Sequence, residues 1–219
     1  MVSSRALVLA TALLALAAVA SRRLWPLTRT VVTIAHEGGH ALIALLTGRR
    51  LGGVRVLRST AGVTVSSGSR SGPGIVLTTA AGYTAPPLLG LGAAALLATG
   101  HLVGMLVISL AALAGLAIAI RNVYGMAAVL LTGAAVGAVL WRGTPLAEAA
   151  FGYVMTWFLL FGGVRPVLEL QRTRRHHPGR ATDADQLAAL TRLPGSLWVA
   201  VFGVVALAAL AVSALWLVP

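Results

Sequence analysis

Long apolar runs separated by short arginine-bearing breaks are the feature that most constrains this sequence. The runs are roughly 16 to 24 residues long, close to the ~20 residues that an α-helix needs to cross a bilayer. Hydrophobic residues make up 58% of the 219 positions and charged residues only 10%. A soluble globule of this size cannot bury so much apolar surface. The chain is therefore expected to be an integral membrane protein.

The fold expected is an all-α polytopic membrane bundle of about six or seven transmembrane helices, forming one membrane-embedded domain over residues 1–219. The predicted spans lie near residues 5–20, 28–47, 78–99, 102–120, 123–141, 147–168 and 195–217. The first of them is predicted as a span or as a signal-like segment, because Arg5 and an apolar stretch precede Ala18-Val19-Ala20, which resembles a small-residue cleavage site.

The basic residues indicate a membrane orientation rather than a nucleic-acid partner. All 17 are arginine, and most lie between apolar runs instead of along one helix face. With seven spans, twelve arginines fall on one side and four on the other, namely Arg22, Arg23, Arg29 and Arg142, while Arg165 lies within the sixth span. The positive-inside rule then predicts a cytoplasmic N-terminus. We expect the lipid bilayer as a partner, no nucleic acid, and location in a bacterial cell membrane.

Two segments lack the residue pattern of a membrane helix. In residues 51–71, Val54 and Val56 alternate with other residues, as do Val63 and Val65. This period of two predicts a small membrane-associated β-hairpin after the second helix. Residues 171–194 are predicted as a cytoplasmic basic loop followed by a segment with Asp183 and Asp185.

The residues that carry chemistry lie in the second span. His36 and His40 are four positions apart, so on a helix their imidazoles project from one face and can share one cation. Glu37 follows the first of them, where its carboxylate can take a proton from water at the metal and pass it to a leaving amine. Because the chain has no cysteine, any metal must be held by histidine and carboxylate.

This sequence resembles the site-2-protease-type intramembrane zinc metalloproteases. His36-Glu37-Gly38-Gly39-His40 matches the His-Glu-x-x-His motif of that family, and Ala81-Gly82-Tyr83-Thr84-Ala85-Pro86 is similar to its small-residue and proline segment. The hairpin-like stretch is similar to the family's membrane-associated β element. The resemblance covers roughly residues 28–100 and indicates a short branch without an appended soluble domain. It implies Zn²⁺ as cofactor, Glu37 as the catalytic residue, and a membrane-protein substrate in regulated intramembrane proteolysis.

The third zinc ligand is less well defined by the sequence. The family supplies an aspartate in a Leu-Asp-Gly context, which this chain lacks. The other acidic residues are Glu148, Glu169, Asp183 and Asp185. Asp183 is predicted as the ligand with Asp185 as the alternative, because both precede the last span on the side towards which His40 lies. Glu169 is the next candidate for the third ligand. The competing interpretations are that the Asp183 segment only caps a surface helix and that Glu169 only pairs with the arginine four residues before it.

The function expected is that of an intramembrane zinc-dependent endopeptidase, a hydrolase. The hairpin would pair with an unwound substrate strand by edge addition. Two alternatives belong to other classes. One is a catalytically inactive relative that acts as a membrane binding or regulatory protein. The other is a transporter whose histidines line a path, which the position of Glu37 between the two histidines disfavours.

Overall fold

The computed structural model describes residues 5–57, 62–176 and 182–218. In these ranges the chain forms nine helices and one two-stranded antiparallel sheet. The elements are α1 (Arg5–Ala20), α2 (Trp25–Thr28), α3 (Thr30–Leu46), β1 (Arg50–Val56), β2 (Gly62–Ser67), α4 (Pro73–Ala98), α5 (Leu102–Ala119), α6 (Val123–Arg142), α7 (Pro145–His176), α8 (Asp183–Thr191) and α9 (Gly195–Leu217). The predicted fold class, a helical membrane bundle with a small hairpin, is confirmed.

The number of spans differs from the seven placed along the sequence. Within the described residues, five helices are long and apolar enough to cross a membrane: α4, α5, α6, α7 and α9. The segment from Arg5 to Leu46 passes the same test only as a bent pair, with a 99° bend between α1 and the helices that follow. With 16 and 17 residues, α1 and α3 are each shorter than the ~20 residues of a full span. The two spans predicted here are thus at most one broken span, which gives up to six in all.

Arg165 of α7 holds this bend against the bundle. Its guanidinium donates a hydrogen bond to the Val19 carbonyl at the end of α1 and lies over the Trp25 ring, 4.7 Å from the centroid. Its Nε also donates to Oε1 of Glu169 at 2.9 Å. The Arg165 side chain therefore donates a hydrogen bond to a helix-end carbonyl and also pairs its charge with Glu169.

Small residues let α3, α4 and α7 approach closely. A Cβ atom on Gly39 would lie 2.8 Å from the Ala81 carbonyl oxygen of α4. A Cβ on Gly163 of α7 would lie 2.8 Å from Cδ of Pro87 on the other side of α4. Helices in lipid gain stability mainly from such close packing, and here it sets α4 between the histidine helix and α7.

The hairpin packs one face on α3 and has one covered and one unpaired edge among the described residues. Its strands pair in antiparallel register, with Val54 opposite Thr64 and Val56 opposite Gly62. The outer edge of β1 is covered because Arg121 N–H donates to the Val54 carbonyl at 2.8 Å and Asn122 bonds both backbone groups of Val56. Among the described residues no strand pairs with the outer edge of β2. Positions 58–61, within the predicted hairpin, lie outside the described residues.

The segment predicted as a basic loop is largely helical. Helix α7 continues beyond the apolar run to His176, and α8 begins at Asp183, while residues 177–181 lie outside the described part. Hydropathy falls near residue 170, but arginine and glutamine are good helix formers, so the helix continues. Helix α8 brings Asp183 inward, because it packs Ala184 and Leu187 into the core.

Candidate metal centre

The two histidines of α3 face each other across a short gap. Their Nε2 atoms are 3.1 Å apart, as expected for imidazoles one helical turn apart on one face. Nδ1 of His40 lies 2.7 Å from the Thr78 carbonyl oxygen of α4. A carbonyl only accepts, so this nitrogen carries the proton and the lone pair of neutral His40 is on Nε2.

Asp183 completes a triangle with these nitrogens. Its Oδ2 lies 3.3 Å from Nε2 of His36 and 3.4 Å from Nε2 of His40. Burial alone would raise the pKa of the Asp183 carboxyl, but imidazoles that carry a proton on Nε2 donate hydrogen bonds to it, which outweigh burial and hold this pKa well below its usual range. The carboxylate is therefore ionised at neutral pH, as a metal ligand must be.

The spacing of the three atoms fits a tetrahedral metal. Ligands 2.0–2.1 Å from a tetrahedral zinc are about 3.3–3.4 Å from one another, and the three distances here are 3.1, 3.3 and 3.4 Å. A carboxylate and two imidazole lone pairs at this distance repel one another unless a cation, or protons in its place, lies between them. Of the described residues, His36, His40 and Asp183 form the group that could hold a metal ion.

Helix α4 has a glycine, Gly82, where it lies against the two histidines. A Cβ atom on Gly82 would collide with the Nε2 atoms of both histidines. The ring of Tyr83, the next residue, meets the His36 ring edge-on at 4.9 Å between centroids and stacks on Phe202 of α9. Gly82 thus keeps open the space where an ion would lie, and Tyr83 fixes the orientation of one imidazole.

Glu37 is held by the hairpin. It is buried, with 2% of its surface exposed, and its Oε2 accepts a 2.5 Å hydrogen bond from the Thr64 hydroxyl of β2. A Cβ on Gly62 would collide with the same carboxyl group. The face of β2 that carries Gly62 and Thr64 therefore lies against the carboxylate predicted to act as the general base.

A cavity of ≈ 290 Å³ reaches these groups. Its lining includes His36, Glu37 and Asp183, together with Arg29 and Glu169. Its volume admits several water molecules. Water can therefore reach buried residues inside the bundle.

The other acidic candidates lie apart from this triangle. Oδ1 of Asp185, the alternative third ligand, accepts from Arg174 at 2.8 Å, and its Oδ2 accepts from the Thr182 backbone and hydroxyl. Glu169 pairs with Arg165, four residues before it. Glu148 lies in the first turn of α7. The capping interpretation also holds, because Thr182 caps α8 while Asp183, the next residue, reaches the histidines.

Several residues of this site were not singled out from the sequence. The sequence places Thr64 in an alternating strand and Gly82 in a segment similar to the family, but it assigns neither residue a role in the site. A signal for Thr64 was present, because it is the polar residue between two valines of an amphipathic strand. No sequence signal indicates that the Thr78 carbonyl bonds His40, because any residue supplies a carbonyl.

The comparisons with known proteins agree with this geometry. No curated protein and no solved structure matches the chain significantly. A sequence model of the Peptidase M50B-like family, a metalloprotease family, matches residues 9–213, nearly the whole chain. The resemblance to site-2-protease-type peptidases is confirmed, and the chain belongs to the Peptidase M50B-like family.

Proposed function

We propose that this protein is an intramembrane zinc-dependent endopeptidase that cuts a membrane-spanning regulatory protein. The observation that supports this most strongly is the convergence of His36, His40 and Asp183 to within 3.4 Å, beside the buried carboxylate of Glu37. His36, His40 and Asp183 would hold Zn²⁺, since two imidazoles and a carboxylate are typical of catalytic zinc sites with one open position.

The residues of the site divide the steps of hydrolysis. Bound zinc supplies Lewis acidity, which polarises the scissile carbonyl and makes water a better nucleophile. Glu37 accepts a proton from that water and passes it to the leaving amine. The Thr64 hydroxyl donates to Oε2 of Glu37, which leaves Oε1 for the proton. Tyr83 and Thr78 keep the imidazoles in place.

The free edge of β2 is proposed to bind the substrate as an added strand. Val54 and Val56 direct their backbone groups towards residues 121–122. In an antiparallel pair their partners Thr64 and Gly62 then direct theirs to the opposite side. The Thr64 side chain, on the face next to this edge, contacts Glu37. A helical span must unwind before its amides can be cut, and pairing with Gly62 and Thr64 would replace the hydrogen bonds that it loses.

The arginines support a cytoplasmic position for the hairpin side. If the bent pair counts as one span, the side that carries the hairpin, residue 121 and α8 has eleven arginines, whereas the opposite side has Arg5 and Arg142. We therefore propose that the metal centre opens towards the cytoplasm of a bacterial cell. A cytoplasmic start of α1, which is expected for seven spans, requires α1 and α3 each to cross the membrane. If the two helices form one broken span, the start of α1 lies outside the cell.

Cleavage of single-span test proteins would test this function. The purified zinc-loaded protein would be reconstituted in vesicles with a panel of test spans containing glycine, proline or asparagine at their centres. Fragments would be identified by mass spectrometry. The wild type should cut within the span, and Glu37→Gln should keep its zinc but lose at least about 100-fold in rate. Cleavage that is equal in both proteins would refute the role of Glu37. A zinc-loaded wild type that cuts no test span would favour the catalytically inactive relative.

A further inference from the structure

The third ligand lies on a helix that is too short to be stable alone. Helix α8 has nine residues, fewer than the ~12–15 that an isolated helix needs. Asp183 is its first residue, directly after the N-cap Thr182. The position of its carboxylate therefore depends on the contacts that hold the start of α8 to the bundle.

Apolar packing fixes the middle of α8 and a hydrogen bond fixes its end. Ala184 and Leu187 are fully buried among residues of α7 and α9. At the end of the helix the indole N–H of Trp198 donates to the Thr191 hydroxyl at 3.1 Å. Apolar packing is not directional, and the Trp198 hydrogen bond lies at the opposite end of α8, so the orientation of the first turn that carries Asp183 needs a further contact.

A network of hydrogen bonds orients this first turn. Arg174 of α7 donates from Nε to Oδ1 of Asp185 at 2.8 Å. The other oxygen of Asp185 accepts from the Thr182 backbone N–H at 3.2 Å and from its hydroxyl at 2.6 Å. Arg174 and Thr182 are thus joined through one carboxylate, and Asp183 lies in the turn between them.

Gly195 leaves the space that Arg174 occupies. A Cβ atom at Gly195, the first residue of α9, would collide with the Arg174 guanidinium and lie 3.1 Å from the Ala184 carbonyl oxygen. The start of α9 therefore packs directly on both the arginine and the first turn of α8. A methyl group there would displace Arg174 without changing any charge.

We propose that Arg174 is a positioning residue of the metal centre, which acts through Asp185 to hold the Asp183 carboxylate against His36 and His40. This inference rests on the proposed zinc site. It adds that the ligand geometry depends on the charge pair of Arg174 and Asp185, which lies outside the triangle of ligands. A zinc ligand at the start of a short helix needs such support, because outer partners of metal ligands fix their orientation.

Zinc affinity, measured on the full-length purified protein by competition with a chelating dye, separates this role from a general effect of charge. Arg174→Gln should weaken zinc binding by about tenfold or more. Arg175→Gln removes the same charge from the exposed neighbouring position and should change affinity less than about twofold. Arg174→Lys keeps a donor for Asp185 and should restore part of the loss. Gly195→Ala should weaken binding with all charges intact.

The melting temperature of each zinc-free variant identifies variants that fail to fold. If Arg174→Gln does not fold, Gly195→Ala and Arg174→Lys provide the test. The proposal is overturned if folded Arg174→Gln binds zinc like the wild type, or if Arg175→Gln loses as much affinity as Arg174→Gln. A wild type that binds no zinc overturns the metal centre itself, and is thereby distinguished from failure of the Arg174 link alone.

Discussion

The Thr64 hydroxyl on β2 donates a 2.5 Å hydrogen bond to Oε2 of Glu37 on α3. This contact joins the hairpin to the predicted general base, and it partly compensates for the burial of a carboxylate that is only 2% exposed. The valines on either side, Val63 and Val65, are exposed. Thr64 is thus the residue of this strand segment that faces the metal centre.

Replacing Thr64 tests whether the hairpin orients Glu37. Thr64→Val keeps the shape but removes the donor, and a hydrogen bond to a charged group contributes about 1.5–3 kcal/mol, so kcat on a test span should fall about tenfold or more. Thr64→Ser keeps the hydroxyl and should remain near wild type. Zinc content should be equal in all three proteins. If the valine variant cuts as fast as the serine variant, Thr64 does not orient the base.

Gly82 is predicted to be needed for metal binding because its missing side chain leaves room for the histidine nitrogens. Gly82→Ala should therefore lower bound zinc, measured by elemental analysis of the purified protein. Gly92→Ala is the matched control on α4, since a Cβ at Gly92 meets nothing within 4 Å. The control should bind zinc normally. Full zinc occupancy in Gly82→Ala would mean that the histidines do not point at Gly82.

Asn122 is predicted to anchor the hairpin. It donates to the Val56 carbonyl at 2.8 Å and accepts from the Val56 N–H at 3.1 Å. Asn122→Ala removes both bonds and should destabilise β1 by about 1–3 kcal/mol, seen as faster amide hydrogen exchange in residues 50–56. Asn122→Asp keeps only the acceptor and should lie between. Unchanged exchange in the alanine variant would show that the anchoring lies elsewhere.

Arg165 is predicted to hold the bend that follows α1. Arg165→Gln loses the contacts with the Val19 carbonyl and the Trp25 ring and leaves Glu169 without its pair. We expect a lower melting temperature and faster exchange near residues 19–25. Arg142→Gln is the control, because Arg142 lies at the same 4.7 Å over Trp141, a ring that is 80% exposed. Equal melting temperatures for both variants would contradict this role.

The parts of the site that follow local rules could be predicted from the sequence. The spacing of His36 and His40 fixes their common helix face, and the scarcity of acidic residues reduced the third ligand to a few candidates. Apolar runs located the long helices for the same reason, since membrane thickness acts on each run independently.

The parts that depend on distant contacts could not be predicted. The bend after α1 is held by Arg165, about 140 residues away in the chain, and hydropathy does not distinguish a broken span from two short ones. The contact of Thr64 with Glu37 and the contact of Arg174 with Asp185 could not be predicted for the same reason. Each is a polar side chain whose partner is defined only after the helices have packed.

Bound zinc per chain tests the central claim most directly. It would be measured by elemental analysis in purified wild type, His36→Ala, Asp183→Ala and Glu148→Ala, the last being an acidic residue in the first turn of α7. A three-ligand site predicts about one zinc in the wild type and in Glu148→Ala, and little in the other two. A wild type that holds no zinc when supplied with it, or an Asp183→Ala variant that holds as much as the wild type, would contradict the assignment of His36, His40 and Asp183.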